Sequence, residues 1–395
     1  MILPSTLLLF SLLHSTFAAL EQGKAVVASP VEGGDKGDLK GFNYDSADDF
    51  KTLFKAVKNT EGLEDFTSAK LFSSIHPSVP PNAKVEDVKP VDAFSAAKAE
   101  GFSLLLGIWA SAGQEVVDKE IKAIELALTN KEYNKELFPS KIVGIIVGSE
   151  DLYRRSKIGT PDEAQLSDKG ASPEDVIGYI DDVKKMLANH KDEKSGRPFS
   201  ELIPVGHADT WGSWQNDTEG GKVIEKCDFV ALNAFPYWEQ KQVTDFLSWE
   251  GALRVTKQAT ERHQNNGATV PVWSTETGFP YDGPDCGMAN PDKANAQIYW
   301  QGVGCKNMFG KDAKNKMNSW WFKFTGKGAS SGVDKGLNWG VVESVDSATF
   351  KTIPAFPLSC DAELPAEVPP TPDAKCEANQ VKQAGTKRRR GQAWA

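Results

Sequence analysis

The chain has 395 residues, of which 25% are charged and 40% are apolar, and this composition is that of an ordinary soluble globular protein with a large core. Its net charge of −9 argues against nucleic acid and against an anionic membrane surface as partners, because both require a basic footprint. We therefore expect a neutral or cationic substrate.

The chain begins with an apolar stretch that ends in small residues at Thr16 and Ala18. Its length fits a secretory signal peptide better than a membrane span, so we predict a signal peptide at 1–19 and a secreted protein, extracellular or in the cell wall. Residues 20–37 are rich in glycine, alanine and charge, and we expect them to form a flexible arm. No later segment is apolar enough to span a bilayer.

Short apolar runs alternate with longer amphipathic stretches over most of the chain. Eight runs are candidate strands: 41–45, 68–75, 101–110, 141–150, 203–211, 227–235, 271–278 and 319–325. Eightfold alternation of strand and helix is typical of a (β/α)8 TIM barrel, so the predicted fold class is α/β with a single catalytic barrel domain over 38–360. Active sites of such barrels lie where the strands end.

Two segments near the C-terminus differ from this pattern. The glycine-rich residues 326–350 are predicted to form the last loop and helix of the barrel. Residues 361–395 are proline-rich and end in a basic run at 387–390, and we predict a disordered extension whose basic end is a solvated charge run.

The cysteines follow the predicted signal peptide, and they are Cys227, Cys286, Cys305, Cys360 and Cys376. In an oxidising compartment we expect two disulfides and one free thiol, although spacing alone does not determine the pairing. We predict the pairs Cys286–Cys305 and Cys360–Cys376, with Cys227 as a buried free thiol because it opens an apolar strand. No Cys or His spacing resembles a zinc site, so no metal is predicted.

Two glutamates lie at the ends of candidate strands. Glu150 ends the fourth run and Glu276 lies near the end of the seventh, so a parallel barrel would place both carboxyl groups in one cleft. Cleavage of a glycosidic bond requires an acid that protonates the leaving oxygen and a carboxylate that attacks or stabilises the anomeric carbon. A single strand-end glutamate is more often structural, but a pair favours the catalytic interpretation. Burial and mutual repulsion would raise the pKa of one glutamate and leave the other ionised.

Other strand ends carry aromatic and short polar side chains, which suit a sugar because its ring combines apolar faces with a rim of hydroxyls. The candidate substrate-binding residues are Tyr44, Lys70, Phe72, Ser149, His207, Asp209, Trp211, Asn233, Phe235, Tyr237 and Trp320. Taken singly, each aromatic is more often a core residue, and His207 is equally well explained as a structural histidine. Their shared position favours binding. Asn216-Asp217-Thr218 is a sequon for N-glycosylation.

Four segments carry a family resemblance: residues 147–154, Gly206-His207-Ala208-Asp209-Thr210-Trp211, Asn233-Ala234-Phe235-Pro236-Tyr237 and Thr275-Glu276-Thr277-Gly278-Phe279-Pro280. In this order they resemble the fungal branch of glycoside hydrolase family 17, the endo-β-1,3-glucanases and cell-wall glucan-remodelling enzymes. The resemblance implies that Glu150 is the acid/base, that Glu276 is the nucleophile and that configuration is retained. It also implies β-1,3-glucan as substrate and the absence of any metal or organic cofactor. We expect a monomer.

The chain departs from the family pattern at three places. Lys70-Leu71-Phe72 stands where Arg-Leu-Tyr is usual, Phe235 stands where tyrosine is usual, and Phe279 stands where tryptophan is usual. A tyrosine hydroxyl near the nucleophile would orient its ionised form, and phenylalanine cannot do so. We predict a secreted, retaining, endo-acting β-1,3-glucan hydrolase. A β-1,3-glucanosyltransferase and a non-catalytic glucan-binding wall protein are the alternatives.

Overall fold

The computed structural model describes residues 39–132, 134–156, 170–326, 336–371, 374 and 376. The predicted signal peptide, the predicted N-terminal arm and the basic run at 387–390 lie outside the described residues. Within the described ranges, no helix is long and apolar enough to cross a bilayer.

Each of the eight candidate runs overlaps a strand, and the eight strands form one closed parallel barrel in chain order. They are β1 (Lys40–Tyr44), β2 (Ser68–Leu71), β3 (Ser103–Ile108), β4 (Ile142–Ser149), β5 (Val205–Thr210), β6 (Phe229–Asn233), β7 (Val272–Glu276) and β8 (Ser319–Trp321). The barrel closes where Gly41 of β1 pairs with Trp320 of β8. The predicted (β/α)8 fold is therefore confirmed.

The strands are separated by α-helices of very different length. In the described part of the chain these are α1 (Phe50–Lys58), α2 (Ala93–Glu100), α3 (Gln114–Thr129), α4 (Asn134–Leu137), α5 (Asp151–Arg155), α6 (Pro173–Ala188), α7 (Trp211–Gln215), α8 (Gly220–Ile224), α9 (Leu247–Arg262) and α10 (Lys293–Tyr299). A π-helical segment, Trp300–Phe309, continues α10 toward β8.

Helix α6 illustrates how local sequence sets these elements. The hydroxyl of Ser172 accepts a hydrogen bond from the backbone N–H of Asp175 at 3.0 Å, and the Asp175 carboxylate in turn accepts from the Ser172 N–H at 3.1 Å. This capping box satisfies backbone groups that the first turn leaves unpaired. Val176, Ile180 and Val183 then recur on one face of the helix and are buried.

The barrel interior is filled by a cluster separate from the core between strands and helices. Its buried members are Leu105, Val143, Ile146, Ala208, Phe229, Ala231, Trp273 and Trp320. Phe229 stacks on Trp273 with ring centroids 3.8 Å apart, and the indole N–H of Trp320 donates to the Ser68 hydroxyl at 3.1 Å. This packed layer fills the barrel beneath the strand ends, so a ligand can bind only above it.

The segment after β8 forms no helix in its described part, contrary to the prediction for 326–350. Instead β9 (Val342–Val345) and β10 (Thr352–Pro354) form an antiparallel ribbon. Trp339, just before this ribbon, packs against Phe235 with ring centroids 5.3 Å apart. The segment therefore supports the wall of the cleft described below.

The prediction of a disordered extension from residue 361 is wrong for residues 361–371, which lie along the barrel without regular secondary structure. The side chain of Gln301 donates to the carbonyl of Ala362 at 2.7 Å. Asn295 both donates to the Val368 carbonyl at 2.8 Å and accepts from the Val368 N–H at 2.9 Å. Because side-chain amides satisfy its backbone groups, this proline-rich strap can lie on the barrel without forming a strand.

The predicted disulfide pairing is also wrong. Cys286 is joined to Cys376 and Cys305 to Cys360, so both bridges tie the C-terminal strap to the segment between β7 and β8. The pairing differs because the strap lies against Asn295 and Gln301, which brings Cys360 and Cys376 to the segment between β7 and β8. The prediction for Cys227 is confirmed: it is a buried free cysteine, and burial raises the pKa of its thiol to about 12, which makes it unreactive.

Candidate active site

The ends of β4 and β7 bring the two predicted glutamates into one cavity. Glu276 is the last residue of β7 and is paired in register with Asn233 of β6, while Glu150 directly follows β4. Both line a cavity of about 310 Å³, which we call the glutamate cleft. Its walls include Phe72, Phe235 and Phe322.

Glu150 is held in an uncommon backbone conformation. Its φ of +61° lies in the left-handed region, where residues other than glycine are rare and cluster at functional sites. Gly148 also has a positive φ, of +80°, and a Cβ there would lie 2.0 Å from a carboxylate oxygen of Asp151. The Glu150 N–H donates to the Ala208 carbonyl of β5 at 2.8 Å, which anchors the turn.

Glu276 lies next to a buried cation. The Lys70 ammonium donates to Glu276 Oε1 in a short contact, and the Ser149 hydroxyl donates to the same oxygen at 3.1 Å. Lys70 therefore contacts the glutamate and does not line the cleft as a ligand-binding residue. Burial lowers the pKa of Lys70, and the Glu276 carboxylate opposes this change. An adjacent ammonium stabilises the ionised form of a carboxylate.

Glu150 has a different environment. Its carboxylate accepts a hydrogen bond from the Asn233 amide at 3.3 Å. Burial raises the pKa of Glu150 to about 7, and repulsion by Glu276 adds to this increase, while Arg154 opposes it. One cavity thus contains a carboxyl group that holds its proton until near neutrality and a carboxylate beside an ammonium group. When two carboxyl groups have such different environments, one can act as the acid and the other as the base or nucleophile.

Two neutral side chains connect the glutamates. The Asn233 amide nitrogen donates to the Ser149 hydroxyl at 3.2 Å, and that hydroxyl donates to Glu276. The Thr275 hydroxyl donates to the Asn233 carbonyl oxygen at 2.9 Å, so the amide nitrogen must face Ser149 and Glu150. The sequence prediction included Ser149 and Asn233, and the structure places both between the two carboxyl groups.

His207 and Asp209 lie below the cleft and do not line it. Both are fully buried: His207 Nδ1 is 2.6 Å from the Val147 carbonyl, and Nε2 is 3.2 Å from Asp209 Oδ2. Burial alone would lower the pKa of His207, but Asp209 and Asp151 together raise it. Asp209 also accepts from the N–H of Leu152, so this pair supports the turn that carries Glu150.

Three other predicted binding residues are core residues. Tyr44 packs against Phe54 of α1 with ring centroids 5.3 Å apart, and Trp320 lies in the barrel interior. Tyr237 is fully buried, and its hydroxyl donates to the Pro284 carbonyl at 2.9 Å. The physical reasons differ: the Tyr44 side chain lies on the helix side of β1, because successive strand side chains alternate in direction, whereas Trp320 points inward but lies in the packed layer beneath the cleft. Tyr237 lies in the loop after β6, where its ring is buried.

The sequence prediction missed several residues of the cleft, among them Trp109 and Phe322. Trp109 follows β3 as Phe72 follows β2, so the rule that selected strand-end residues would also have selected Trp109. Its ring lies 4.8 Å from the guanidinium carbon of Arg154. Phe322 follows β8 and packs edge-on against Phe235, with ring centroids 5.4 Å apart.

A second cavity of about 260 Å³ adjoins the cleft on the Glu150 side, and we call it the Trp211 cavity. It shares Glu150, Phe235 and Trp238 with the glutamate cleft. The Trp211 indole N–H donates to Glu239 at 2.8 Å, which holds the half-buried ring in place. The predicted binding residue Trp211 therefore lies beside Glu150 in a position suited to contact a ligand.

Among the described residues, no group of three or more His, Cys, Asp or Glu side chains could hold a metal ion. The polar groups in the cleft are instead arranged around the two carboxyl groups.

Comparison with known proteins shows the family to which the chain belongs. Residues 87–333 match the BtgE/BtgC glycoside hydrolase domain. The chain is 34% identical over 332 residues to a probable glucan endo-1,3-beta-glucosidase eglC of Aspergillus fumigatus, covering 82% of this chain and 66% of that protein. It is 30% identical over 270 residues to a glucan 1,3-beta-glucosidase of Saccharomyces cerevisiae, covering 67% of this chain and 75% of that protein.

Among solved structures, a glycoside hydrolase family 17 beta-1,3-glucanosyltransferase from Rhizomucor miehei has the same fold. It superposes with a TM-score of 0.57 at 22% identity, covering 81% of this chain and 97% of that one. The chain spans slightly less than two thirds of the length of the Aspergillus relative. The predicted resemblance is confirmed, and the chain belongs to the BtgE/BtgC glycoside hydrolase domain family.

Proposed function

We propose that the protein hydrolyses β-1,3-glucan with retention of configuration, with Glu276 as nucleophile and Glu150 as acid/base. One observation carries the proposal: two glutamates share one cavity, are connected through Ser149 and Asn233, and have opposite electrostatic environments. A glycosidase requires this pairing of a proton donor with an ionised partner.

The reaction that follows from these roles has two steps. In the first, the Glu276 carboxylate attacks the anomeric carbon while Glu150 gives its proton to the glycosidic oxygen, which leaves with the bonding electron pair. In the second, the Glu150 carboxylate takes a proton from water, and the water oxygen displaces Glu276 from the anomeric carbon. Both glutamates then return to their starting states, with two inversions that give net retention.

The substrate class is supported by the relatives, which are named as glucan 1,3-beta-glucosidases. It is also supported by the aromatic walls of the two cavities, since pyranose rings bind by their apolar faces to flat side chains. Because Glu150 protonates the leaving group, the Trp211 cavity on its side would hold the leaving end of the glucan. Phe72 and Phe322 would then contact the sugar that becomes bound to Glu276.

Glucanosyl transfer is a second candidate, and the Trp211 cavity favours it. A glucan bound there after the first step could replace water and attack the glycosyl–Glu276 ester. The Trp211 ring is held in place by its hydrogen bond to Glu239, and an acceptor sugar can stack on it. Water gains nothing from this surface, so the ring favours a glucan over water as the acceptor. The family 17 enzyme from Rhizomucor miehei, whose fold this chain shares, is named as a glucanosyltransferase.

One experiment tests both candidates. Laminari-oligosaccharides reduced at their ends are incubated with the protein, and new products are followed by proton NMR and by chain-length analysis. We expect new reducing ends that appear first as the β-anomer, because the configuration is retained. Products longer than the substrate would establish transfer, whereas initial α-anomers would contradict the proposed mechanism. Glucan binding without new products would instead support a non-catalytic binding protein.

We further propose that the protein acts outside the cell, on cell-wall glucan. The two disulfides support this location, since disulfides persist in oxidising compartments. N-terminal sequencing of protein from culture medium is the direct check. We expect a mature chain that begins just after residue 18 or 19, and protein retained inside the cell with an intact Met1 would contradict the proposal.

A further inference from the structure

Glu120 on α3 is an ionisable residue in the interior to which the proposed mechanism gives no role. Its side chain is only 1% exposed. Among the described residues no lysine, arginine or histidine forms an ion pair with it. Burying an acid without a cation costs free energy unless hydrogen bonds from the protein replace those from water, so Glu120 depends on hydrogen-bond donors around it.

The hydrogen-bond donors to Glu120 come from two loops at the catalytic end of the barrel. The Ser74 N–H donates to Glu120 Oε2 at 2.7 Å. The Ser73 hydroxyl and the backbone N–H of Trp109 also hydrogen-bond the carboxyl group and lower its pKa, while the Ile75 N–H donates to the Ser73 hydroxyl at 3.2 Å. The loop after β2 and the loop after β3 thus share one buried acceptor.

Each of these loops carries one aromatic wall of the glutamate cleft. Phe72 precedes the donors of the first loop, and Trp109 is itself a donor in the second. The Lys70 ammonium lies 4.0 Å from the Phe72 ring centroid, and the Arg154 guanidinium lies 4.8 Å from that of Trp109. Such contacts between a cation and an aromatic face are attractive and fix the cation in position.

The two cations lie beside the two glutamates of the cleft. Lys70 hydrogen-bonds Glu276, and the charge of Arg154 lowers the pKa of Glu150. Arg154 Nε also donates to the Ser149 carbonyl at 3.2 Å. A displacement of either ring would therefore change the electrostatic environment of one catalytic carboxyl group.

We propose that Glu120 is a positioning residue, whose buried carboxyl group holds the loops after β2 and β3 together and thereby keeps Phe72 and Trp109 against the cations beside Glu276 and Glu150. This inference deepens the proposed function and rests on it for the roles of the glutamates. Glu120 touches no substrate and acts only through the two rings.

Burial also raises the pKa of Glu120 to about 7, with the hydrogen bonds opposing the increase. Both its protonated and its ionised forms thus occur near neutral pH. The carboxyl group keeps two acceptor oxygens in either form, whereas glutamine keeps only one. Glu120→Gln therefore replaces one acceptor oxygen of the shared site by an amide donor, with little change in side-chain volume.

The test measures the pKa of Glu150 in wild type and in Glu120→Gln, by titrating ¹³C-labelled glutamate carboxyls in NMR spectra. The Glu150 signal is assigned by its loss in Glu150→Gln. The charged groups whose fields act on Glu150 are Glu276 on β7, Asp209 on β5, Arg154 on α5 and Lys70 on β2. Asp45 and Lys323 also line the glutamate cleft, and Glu219 and Glu239 line the Trp211 cavity. Of these, only Arg154 and Lys70 rest against rings that Glu120 positions.

We expect Glu120→Gln to raise the pKa of Glu150 by about one unit, because a looser Trp109 ring leaves Arg154 less well placed. The direction of the change in the pKa of Glu150 distinguishes this explanation from a direct effect of charge. Loss of a negative charge acting directly through space would lower the pKa of Glu150, so a lowered or unchanged value overturns the proposal. Trp109→Leu should raise the pKa likewise, and the double variant should add little to either single change.

Two further variants complete the design. Glu115→Gln removes an exposed carboxylate from the same helix and should leave the pKa of Glu150 unchanged. If Glu120→Gln does not fold, Ser73→Ala serves in its place, because it removes one hydrogen-bond donor to Glu120. This variant should raise the pKa of Glu150 by a smaller amount, and an unchanged pKa would overturn the proposal. Because the titration needs no turnover, it can fail or succeed independently of the hydrolysis assay that tests the proposed function.

Discussion

Glu276→Ala is expected to hydrolyse β-1,3-glucan at least about 10⁴-fold more slowly than wild type, a loss of roughly 5.5 kcal/mol of transition-state stabilisation. Without the carboxylate no glycosyl–enzyme ester can form, and water would have to attack the anomeric carbon directly. The loss should appear in kcat, because the cavity walls that bind the glucan remain. Release of reducing ends from soluble β-1,3-glucan measures it.

Two controls separate loss of the nucleophile from loss of the fold. Glu276→Gln keeps the size of the side chain and should be as inactive as the alanine variant, and circular dichroism checks that both variants fold. Azide should restore turnover of an aryl laminaribioside by Glu276→Ala and give the α-glycosyl azide, because azide occupies the position of the missing carboxylate. Wild-type activity in either variant would remove Glu276 as the nucleophile.

The second large effect is expected at Glu150. Since burial raises the pKa of Glu150 to about 7, its proton is present below that pH and lost above it. Activity that needs this proton should therefore fall as the pH rises through about 7, approaching a tenfold loss in kcat/KM for each further unit. Glu150→Ala should lose this dependence and reduce the hydrolysis of glucan by about 10² to 10⁴-fold.

The leaving group provides the control for Glu150. A dinitrophenyl glycoside leaves without protonation, so Glu150→Ala should still form the glycosyl–enzyme ester rapidly and then accumulate it. Azide should release that ester as the β-glycosyl azide, the opposite anomer from the one expected with Glu276→Ala. An unchanged alkaline limb in Glu150→Ala would show that another group supplies the proton.

The disulfide pairing and the path of the strap could not be predicted from local sequence patterns. The predicted pairs, Cys286–Cys305 and Cys360–Cys376, would each have closed a short loop of the chain. The actual bridges close loops of 90 and 55 residues, because the strap runs back along α10 and brings distant thiols together. Only the packed structure brings these four residues into range of one another.

The amino-acid sequence by itself determined the barrel, its eight strands and the two strand-end glutamates, because alternation of strand and helix and the position of a residue after a strand are local properties. It did not determine the direction or the depth of each side chain, so Tyr44, Tyr237 and Trp320 were assigned to the cleft although they are buried core residues.

Tertiary structure alone decided the electrostatics of the cleft. Glu150 and Glu276 are similar in sequence context, but burial raises the pKa of one while Lys70, 206 residues away in the chain, hydrogen-bonds the other. The physical reason is that charge and solvation depend on distances between side chains, which barrel closure sets.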